Sequence, residues 1–204
     1  MISQEKIWDS LYKKDENKWK LESPLPKILR GKKVLEIGAG NGKTLKSILS
    51  QKPLQVTAID ISSEAIKIIK SKFKSKTLTS LQASVGKIPL ENNYFDIVVC
   101  FFTLNNLLIK ERKIAIKEIF RVIKKGGILI FSDFADGDYR INGKNIEDNT
   151  VLKSTGLILH AFTIKEVKSF FKGFKIDSLK IISSRPIRNQ PALRRKRVFL
   201  IAKK

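Results

Sequence analysis

Short apolar runs alternate along the chain with stretches in which apolar residues recur every three or four positions. The runs are typical of strands, and the stretches with helical spacing are typical of amphipathic helices. The predicted strands cover residues 34–37, 55–59, 77–84, 96–102 and 128–134, and a predicted helix follows most of them. Because strands that alternate with helices form parallel sheets, the pattern predicts an α/β fold, most simply in one domain.

Three glycines follow the first predicted strand in the segment VLEIGAGNG. Glycine accepts a positive φ and lets backbone amides approach a ligand, so Gly38, Gly40 and Gly42 predict a nucleotide-binding turn. Lys43 stands where a nicotinamide-binding fingerprint has its third glycine, which argues against a dehydrogenase. Glu36 places a carboxylate inside the strand, where it needs a polar partner. An ordinary turn between strand and helix is the alternative interpretation.

The segment VLEIGAGNG resembles the first motif of the class I S-adenosylmethionine-dependent methyltransferases, which reads hydrophobic, hydrophobic, Glu or Asp, hydrophobic, Gly-x-Gly-x-Gly. The segment RVIKKGG resembles a later motif of the family, with lysine in place of proline. The resemblance covers about residues 30–204. It implies an α/β fold with a doubly wound, mostly parallel seven-stranded sheet, an antiparallel C-terminal strand and helices on both faces. It also implies S-adenosylmethionine as the cofactor, held by Glu36, Gly38, Ala39, Gly40, Asn41 and Gly42.

Asp60 ends the second predicted strand, near 20 residues after the glycine turn. A carboxylate at this place can accept hydrogen bonds from both hydroxyls of a ribose, and capping of the next helix is the alternative. In the family that the chain resembles, an acidic residue after the third strand contacts the adenine amine, but Ser84 stands there in this sequence. We therefore expect the Ser84 hydroxyl, the Val85 amide and apolar contacts from Ile61 and Val85 to hold the adenine.

The fourth predicted strand leads into the segment CFFTLNN. Ligands of open α/β sheets bind outside the carboxyl ends of the strands, so this segment is expected to line the active site. Cys100 and Phe101 are candidate cofactor contacts, Phe102 and Thr103 are expected beside them, and Asn105 is a candidate catalytic residue. Packing in the core is the alternative for the two phenylalanines. The family's Asn-Pro-Pro-aromatic or Asp-Pro-Pro-aromatic signature is missing here, which argues against methylation of adenine N6 or glutamine amides.

Residues 133–162 are rich in Asp, Gly and Asn, a composition typical of loops. Loops over a rigid sheet edge often carry substrate choice, so we interpret this segment as a substrate-facing loop. Tyr139 and His160 are candidate catalytic residues within it. For His160, a purely structural role is the alternative.

Residues 1–29 are predicted to form a helical arm before the cofactor-binding domain at residues 30–204. An apolar helical stripe in the arm includes Trp8 and Tyr12, and Trp19 follows a polar break. In the family that the chain resembles, a segment before the domain often closes over the cofactor. Trp19 is therefore a candidate cofactor contact and lid residue, together with Tyr12. Docking of the arm on the core is the alternative.

The chain contains one cysteine and one histidine, so we expect no metal site and no intramolecular disulfide. The N-terminal segment lacks an apolar leader, and no run approaches the roughly 18 to 20 apolar residues that cross a bilayer. These features predict a cytoplasmic protein that does not engage a membrane. The sequence gives no indication of the oligomeric state.

The net charge is +22, which attracts phosphates and anionic surfaces most strongly at low salt. Most of the excess is lysine spread over the predicted helices, which is also typical of a solvated surface. The concentrated basic segment is the loop at residues 185–197, which holds five arginines. Arginine suits phosphate recognition, although a solvated hairpin loop explains the same composition.

Three functions are compatible with these features. A methyltransferase that acts on a small molecule is favoured, because no additional RNA-binding module is visible in the sequence. An RNA methyltransferase that uses the basic surface and the 185–197 loop is the second hypothesis. A non-catalytic scaffold that retains the fold is the third. For either enzyme, the expected mechanism is in-line displacement that depends on proximity and desolvation.

Overall fold

The computed structural model describes residues 3–15, 25–184 and 193–204. Its α-helices are α1 (Gln4–Lys14), α2 (Lys43–Leu49), α3 (Ser63–Lys72), α4 (Ile109–Val122) and α5 (Ile164–Phe170). The strands of the main sheet are β1 (Lys33–Ile37), β2 (Gln55–Asp60), β3 (Leu78–Gln82), β4 (Phe95–Phe101), β5 (Ile123–Phe134), β9 (Lys175–Ser183) and β10 (Lys196–Lys203). A second sheet consists of β6 (Lys144–Glu147), β7 (Thr150–Leu152) and β8 (Ile158–His160).

The main sheet has seven strands in the order β3-β2-β1-β4-β5-β10-β9. Neighbouring strands from β3 to β5 pair in parallel, while β10 runs antiparallel to both β5 and β9. The chain order reverses at β1, so β2 and β4 lie on its two sides. This is the topology at which open α/β sheets bind ligands, beyond the carboxyl ends of the strands.

Helices cover both faces of the main sheet because its central strands alternate their apolar side chains. On one face, Val34 and Val99 pack with Leu45 of α2 and Ile69 of α3. On the other face, side chains of β1 and β4 pack with residues of α4, of α5 and of the position just after α5: Leu35, Val98, Ile116, Ile119, Val167 and Phe171. The doubly wound seven-stranded sheet, its antiparallel C-terminal strand and the two helical layers confirm the predicted fold class.

The segment expected to be a loop contains the three short strands of the second sheet. β7 pairs antiparallel with both β6 and β8. Strands of three or four residues separated by Asp, Asn and Gly show no clear alternation, which explains why the sequence did not indicate them. The segment 133–162, which was predicted to be a loop, therefore contains a small sheet together with its connecting turns.

Candidate active site

The glycine turn after β1 has the backbone geometry that only glycine adopts readily. Gly38 has φ 70° and Gly40 has φ 55°. The Gly38 amide donates to the carbonyl oxygen of Ile59 at 2.8 Å, which fixes the turn against the end of β2. A Cβ atom at Gly38 would lie 2.0 Å from Thr103 Oγ1, and one at Gly40 would lie 2.5 Å from the Tyr12 hydroxyl. The turn is therefore enclosed on two sides.

Asp60 ties the glycine turn to the start of α3. Its Oδ2 accepts a hydrogen bond from the Gly40 amide at 2.8 Å, and its Oδ1 accepts one from the Ser62 amide at 2.9 Å. Burial raises the pKa of Asp60 to about 6, although the amides of Ser62 and Gly40 lower it. The N-cap of α3 is Ser62, whose Oγ accepts a hydrogen bond from the Ala65 amide, and Asp60 lines a pocket. The alternative in which Asp60 caps α3 is therefore wrong, and each carboxylate oxygen of Asp60 can accept a further hydrogen bond.

The pocket beside Asp60 is lined by five of the predicted cofactor contacts: Gly38, Asp60, Ile61, Ser84 and Val85. Phe102 and Thr103 line it from the end of β4. Thr103 Oγ1 donates to the carbonyl oxygen of Ile37 or of Phe101, at 3.1 and 3.2 Å. These contacts bring the ends of β1, β2 and β4 together around one opening.

Other predicted cofactor contacts lie in or behind the turn. Ala39 and Gly42 are buried, and Asn41 is partly buried. Glu36 is 3% exposed, and its Oε2 has no hydrogen-bond partner among the residues that the structure describes. Burial raises the pKa of Glu36 well above its ordinary value, and the charge of Asp60 raises it further. A buried acceptor of this kind suits a ligand that donates an N–H or O–H group.

Cys100 and Phe101 lie in the core rather than in the pocket lining. Both belong to β4 and are buried, and Phe101 packs against Phe199 with ring centroids 6.3 Å apart. The chain leaves the strand at Phe102, whose φ is 53°. A strand enclosed by helices on both faces buries its side chains up to its last residue, so the site begins at Phe102. No sequence signal marks a positive φ at a phenylalanine.

The three candidate catalytic residues do not line the pocket. The Asn105 side chain donates to Asp133 Oδ1 at 2.6 Å and is 1% exposed. His160 is also 1% exposed, with its Nδ1 at 2.8 Å from Thr150 Oγ1 and its Nε2 at 2.9 Å from Glu166 Oε2. Because both ring nitrogens of His160 have partners, its geometry favours the structural role.

Tyr139, the remaining candidate, lies in the turn between β5 and β6. It is half-buried, and its backbone amide donates to the carbonyl oxygen of Arg194 at 3.2 Å. The Arg140 guanidinium lies 5.9 Å from the Tyr139 ring. Its neighbours are therefore basic residues beyond the carboxyl end of β5.

Helix α1 covers the pocket, and three of its side chains line it: Gln4, Trp8 and Tyr12. Trp8 and Tyr12 stack with ring centroids 5.8 Å apart. Asp9 anchors the helix, since its Oδ1 accepts hydrogen bonds from Ser62 Oγ at 2.6 Å and from the Glu64 amide at 3.2 Å. Tyr12, which was predicted as a candidate lid residue together with Trp19, lies in this lining. The helical stripe did not indicate that Gln4 and Trp8 line the pocket as well.

Further lining residues, Ala83, Asn106 and Leu107, were not predicted. They flank predicted positions in the loops after β3 and β4, and no motif distinguishes them. Trp19, the predicted lid residue, lies outside the described residues.

Comparisons with known proteins agree with this geometry. A family model described as a methyltransferase domain matches residues 35–131, from β1 into β5. A crystal structure of an S-adenosylmethionine-dependent methyltransferase from Methanosarcina mazei superimposes with a TM-score of 0.75 at 25% identity, covering 90% of this chain and 99% of that one. Residues 35–131 belong to a methyltransferase domain family, and the chain is similar over most of its length to an S-adenosylmethionine-dependent methyltransferase. The resemblance of the glycine motif, and the cofactor that it implies, are thereby confirmed.

Curated relatives of this methyltransferase domain differ in their named substrates. The tRNA N(3)-methylcytidine methyltransferase Mettl2 of Drosophila melanogaster is 27% identical over 190 residues, which is 80% of this chain and 58% of the relative. The ubiquinone/menaquinone biosynthesis C-methyltransferase UbiE of Erwinia tasmaniensis is 33% identical over 114 residues, which is 53% of this chain and 45% of the relative. The chain thus spans less than two thirds of the length of either relative.

The residues of the pocket fit S-adenosylmethionine. The ligand carries ribose hydroxyls that can donate hydrogen bonds to Asp60, which lines the pocket. Glu36 lies behind the glycine turn and does not line the pocket. Gly38 lines the pocket, where a side chain would meet Thr103. In the described part of the chain, no cluster of three or more His, Cys, Asp or Glu could hold a metal ion. In the same residues, no helix is long and apolar enough to cross a membrane.

Proposed function

We propose that this chain transfers a methyl group from S-adenosylmethionine to a nucleophilic atom of RNA. The observation that carries the methyl transfer is the pocket in which the glycine turn, Asp60 and the end of β4 meet. Its geometry supports a bound adenosyl group whose reactive end points toward the carboxyl ends of β4 and β5. RNA as the acceptor is supported by charge and by the comparison with Mettl2.

Each part of the pocket has a proposed role in holding the cofactor. Asp60 accepts the ribose hydroxyls, and the backbone of Gly38 leaves room for the ligand. Ile61 and Val85 flank the adenine, with the Ser84 hydroxyl at its edge. Of the other predicted contacts, four form the turn around the ligand: Ala39, Gly40, Asn41 and Gly42. Cys100 and Phe101 belong to β4, which pairs with β1, the strand that leads into this turn.

When bound, S-adenosylmethionine supplies a methyl group on a positively charged sulfonium, which is a good leaving group. The residues around it need to align the acceptor and exclude water, and they need not protonate the leaving sulfur. Phe102 lines the pocket at the end of β4 and continues toward Phe134, with ring centroids 5.3 Å apart. This apolar wall supports in-line approach of an acceptor from the β5 side.

Helix α1 is proposed to act as the lid of this pocket. Its side chains Gln4, Trp8 and Tyr12 separate the lining residues from solvent on one side. Tyr12 is 7% exposed and approaches the glycine turn at Gly40. The lid role follows from this contact and from the anchoring hydrogen bonds of Asp9.

RNA is favoured over a small molecule for two reasons. The alignment with Mettl2, which is named for tRNA, extends over 80% of this chain. The net charge of +22 supports binding to a polyanion. A small-molecule acceptor is the second candidate, supported by the 33% identity to UbiE over 114 residues.

The proposal is tested by incubating the purified protein with methyl-labelled S-adenosylmethionine and a cell extract divided into RNA, protein and small-molecule fractions. Asp60→Ala removes the proposed ribose acceptor, and Asp177→Ala removes an exposed carboxylate on β9 as the matched control. We expect nuclease-sensitive label in RNA with wild type and Asp177→Ala, and none with Asp60→Ala. Label confined to small molecules would replace RNA by the second candidate, and label in no fraction would contradict the transferase function.

A further inference from the structure

Basic and aromatic side chains from four elements meet at the carboxyl ends of β4 and β5. Lys43 begins α2, and its Nζ lies 5.2 Å from the ring centroid of Phe102. Phe102 and Phe134 have ring centroids 5.3 Å apart, and the Arg140 guanidinium lies 4.2 Å from the Phe134 ring. Arg197 of β10 is the cross-strand partner of Phe134. Phe102 also lines the cofactor pocket, so this cationic aromatic cluster adjoins it directly.

The cluster has more positive than negative charge. Arg140 pairs with Asp138, its Nη2 lying 2.7 Å from Oδ2, and Asp138 is 3% exposed. Within the described part of the chain, neither Lys43 nor Arg197 forms an ion pair. Burial lowers the pKa of Lys43, and the nearby charges of Arg140, Arg197 and Arg195 lower it further, while the charge of Glu36 partly offsets them. An anion bound among these groups would relieve their mutual repulsion.

The chemistry of the cluster suits a phosphate attached to a planar base. Guanidinium groups form paired, charge-assisted hydrogen bonds with phosphate oxygens. Phenylalanine rings offer an apolar face on which any base can stack. The guanidinium group and the aromatic rings are adjacent, because Phe102 packs against Phe134 and the Arg140 guanidinium lies over the Phe134 ring.

We propose that Lys43, Arg140 and Arg197 form a phosphate-binding subsite for a nucleotide acceptor, next to the methyl-transfer pocket. This inference rests on the proposed function and assigns the part of the surface that would hold the acceptor. The phosphate belongs either to an RNA backbone or to a free nucleotide, which share the same recognition chemistry. The remaining lysines of the helices then contribute long-range attraction and no specific contact.

The test measures binding of a fluorescein-labelled single-stranded RNA oligonucleotide by anisotropy over a series of salt concentrations. The double variant Lys43→Gln with Arg197→Gln removes two charges from the subsite. Lys113→Gln with Lys117→Gln removes the same charge from an exposed face of α4 and serves as the matched control. The salt slope is the slope of the logarithm of RNA affinity against the logarithm of salt concentration. Removing two phosphate contacts should reduce the magnitude of this slope by about 1.4 for a single strand.

The subsite variant is expected to bind the RNA at least about tenfold more weakly than the control. Its affinity for S-adenosylhomocysteine, measured by calorimetry, should stay within about twofold of wild type, which also shows that it is folded. Equal weakening by both variants would overturn the subsite, because the charge would then act without a defined position. The subsite would also be overturned if the subsite variant bound RNA with the same affinity and the same salt slope as wild type.

Competition separates the two sources of phosphate. If cytidine 5′-monophosphate displaces the RNA from wild type and binds the subsite variant more weakly than the control variant, a free nucleotide is the supported acceptor. If only oligonucleotides compete, the RNA backbone is supported as the source of the phosphate.

The last measurement is methyl transfer to RNA by both variants. RNA binding through the subsite without transfer would contradict the proposed function alone, whereas unchanged transfer and binding in the subsite variant would contradict the subsite alone.

Discussion

Replacing Asp9 with alanine is expected to loosen α1 from the pocket. The Asp9 carboxylate accepts hydrogen bonds from Ser62 Oγ at 2.6 Å, the Glu64 amide at 3.2 Å and Ser63 Oγ at 3.4 Å. Burial raises the pKa of Asp9, but these hydrogen bonds and the charge of Lys13 lower it overall, so the carboxylate is ionised in the docked state. The alanine variant loses all three contacts.

The size of the effect follows from these contacts. A hydrogen bond to a charged group contributes about 1.5–3 kcal/mol when buried. Because Asp9 is only partly buried and two of its bonds are long, we expect a total of about 2 kcal/mol. At room temperature this is about a thirtyfold increase in the undocked population of α1.

Hydrogen exchange of the α1 amides measures that population directly. We expect the α1 amides to exchange about thirtyfold faster in Asp9→Ala, while the amides of the central strands are unchanged. Asp9→Asn keeps one oxygen acceptor and should show a smaller increase. Ser10→Ala changes an exposed position on the same helix and serves as the control. Unaltered exchange of α1 in Asp9→Ala would refute the anchoring role.

Three further predictions concern the turn, the buried carboxylates and the histidine. Gly38→Ala should reduce S-adenosylhomocysteine affinity more than about tenfold in calorimetry, because its φ is 70° and its Cβ would lie 2.0 Å from Thr103 Oγ1. Burial raises the pKa of Asp133 to about 7, so the folded state binds the extra proton and the unfolding free energy should fall as pH rises from about 4 to 7; in Asp133→Asn, denaturation should show a weaker fall. His160→Ala should lower the unfolding free energy by roughly 2–3 kcal/mol in chemical denaturation, since Thr150 and Glu166 lose their partner, and the S-adenosylhomocysteine affinity of the folded fraction should not change.

The glycine turn and the strand end beside it were predictable because they depend on local pattern. A strand, a glycine turn and a helix bring the end of β2 beside the turn, so Asp60 could be assigned from its spacing. Its amide partner Gly40 lies at 2.8 Å as this geometry requires. Ser84 and Val85 were placed by the family resemblance; both line the pocket, and their contact with adenine stays a prediction.

The remaining parts of the site depend on packing between distant segments. Gln4 and Trp8 reach the pocket because Asp9 docks α1 on α3, a contact that no periodicity encodes. His160 is held by Thr150 and Glu166, which lie on separate elements. The partners of His160 become apparent only in the folded structure, where β7 of the second sheet supplies Thr150 and α5 supplies Glu166.

The most direct test of the central claim is the affinity of S-adenosylhomocysteine for wild type and Asp60→Asn at two pH values. Since the pKa of Asp60 is about 6, wild-type affinity should weaken about tenfold between about pH 8 and about pH 5, as the ribose acceptor becomes protonated. In Asp60→Asn, binding should be weaker at both values and nearly independent of pH. Tight binding by Asp60→Asn, with the same pH dependence as wild type, would contradict the assignment of this pocket to the cofactor.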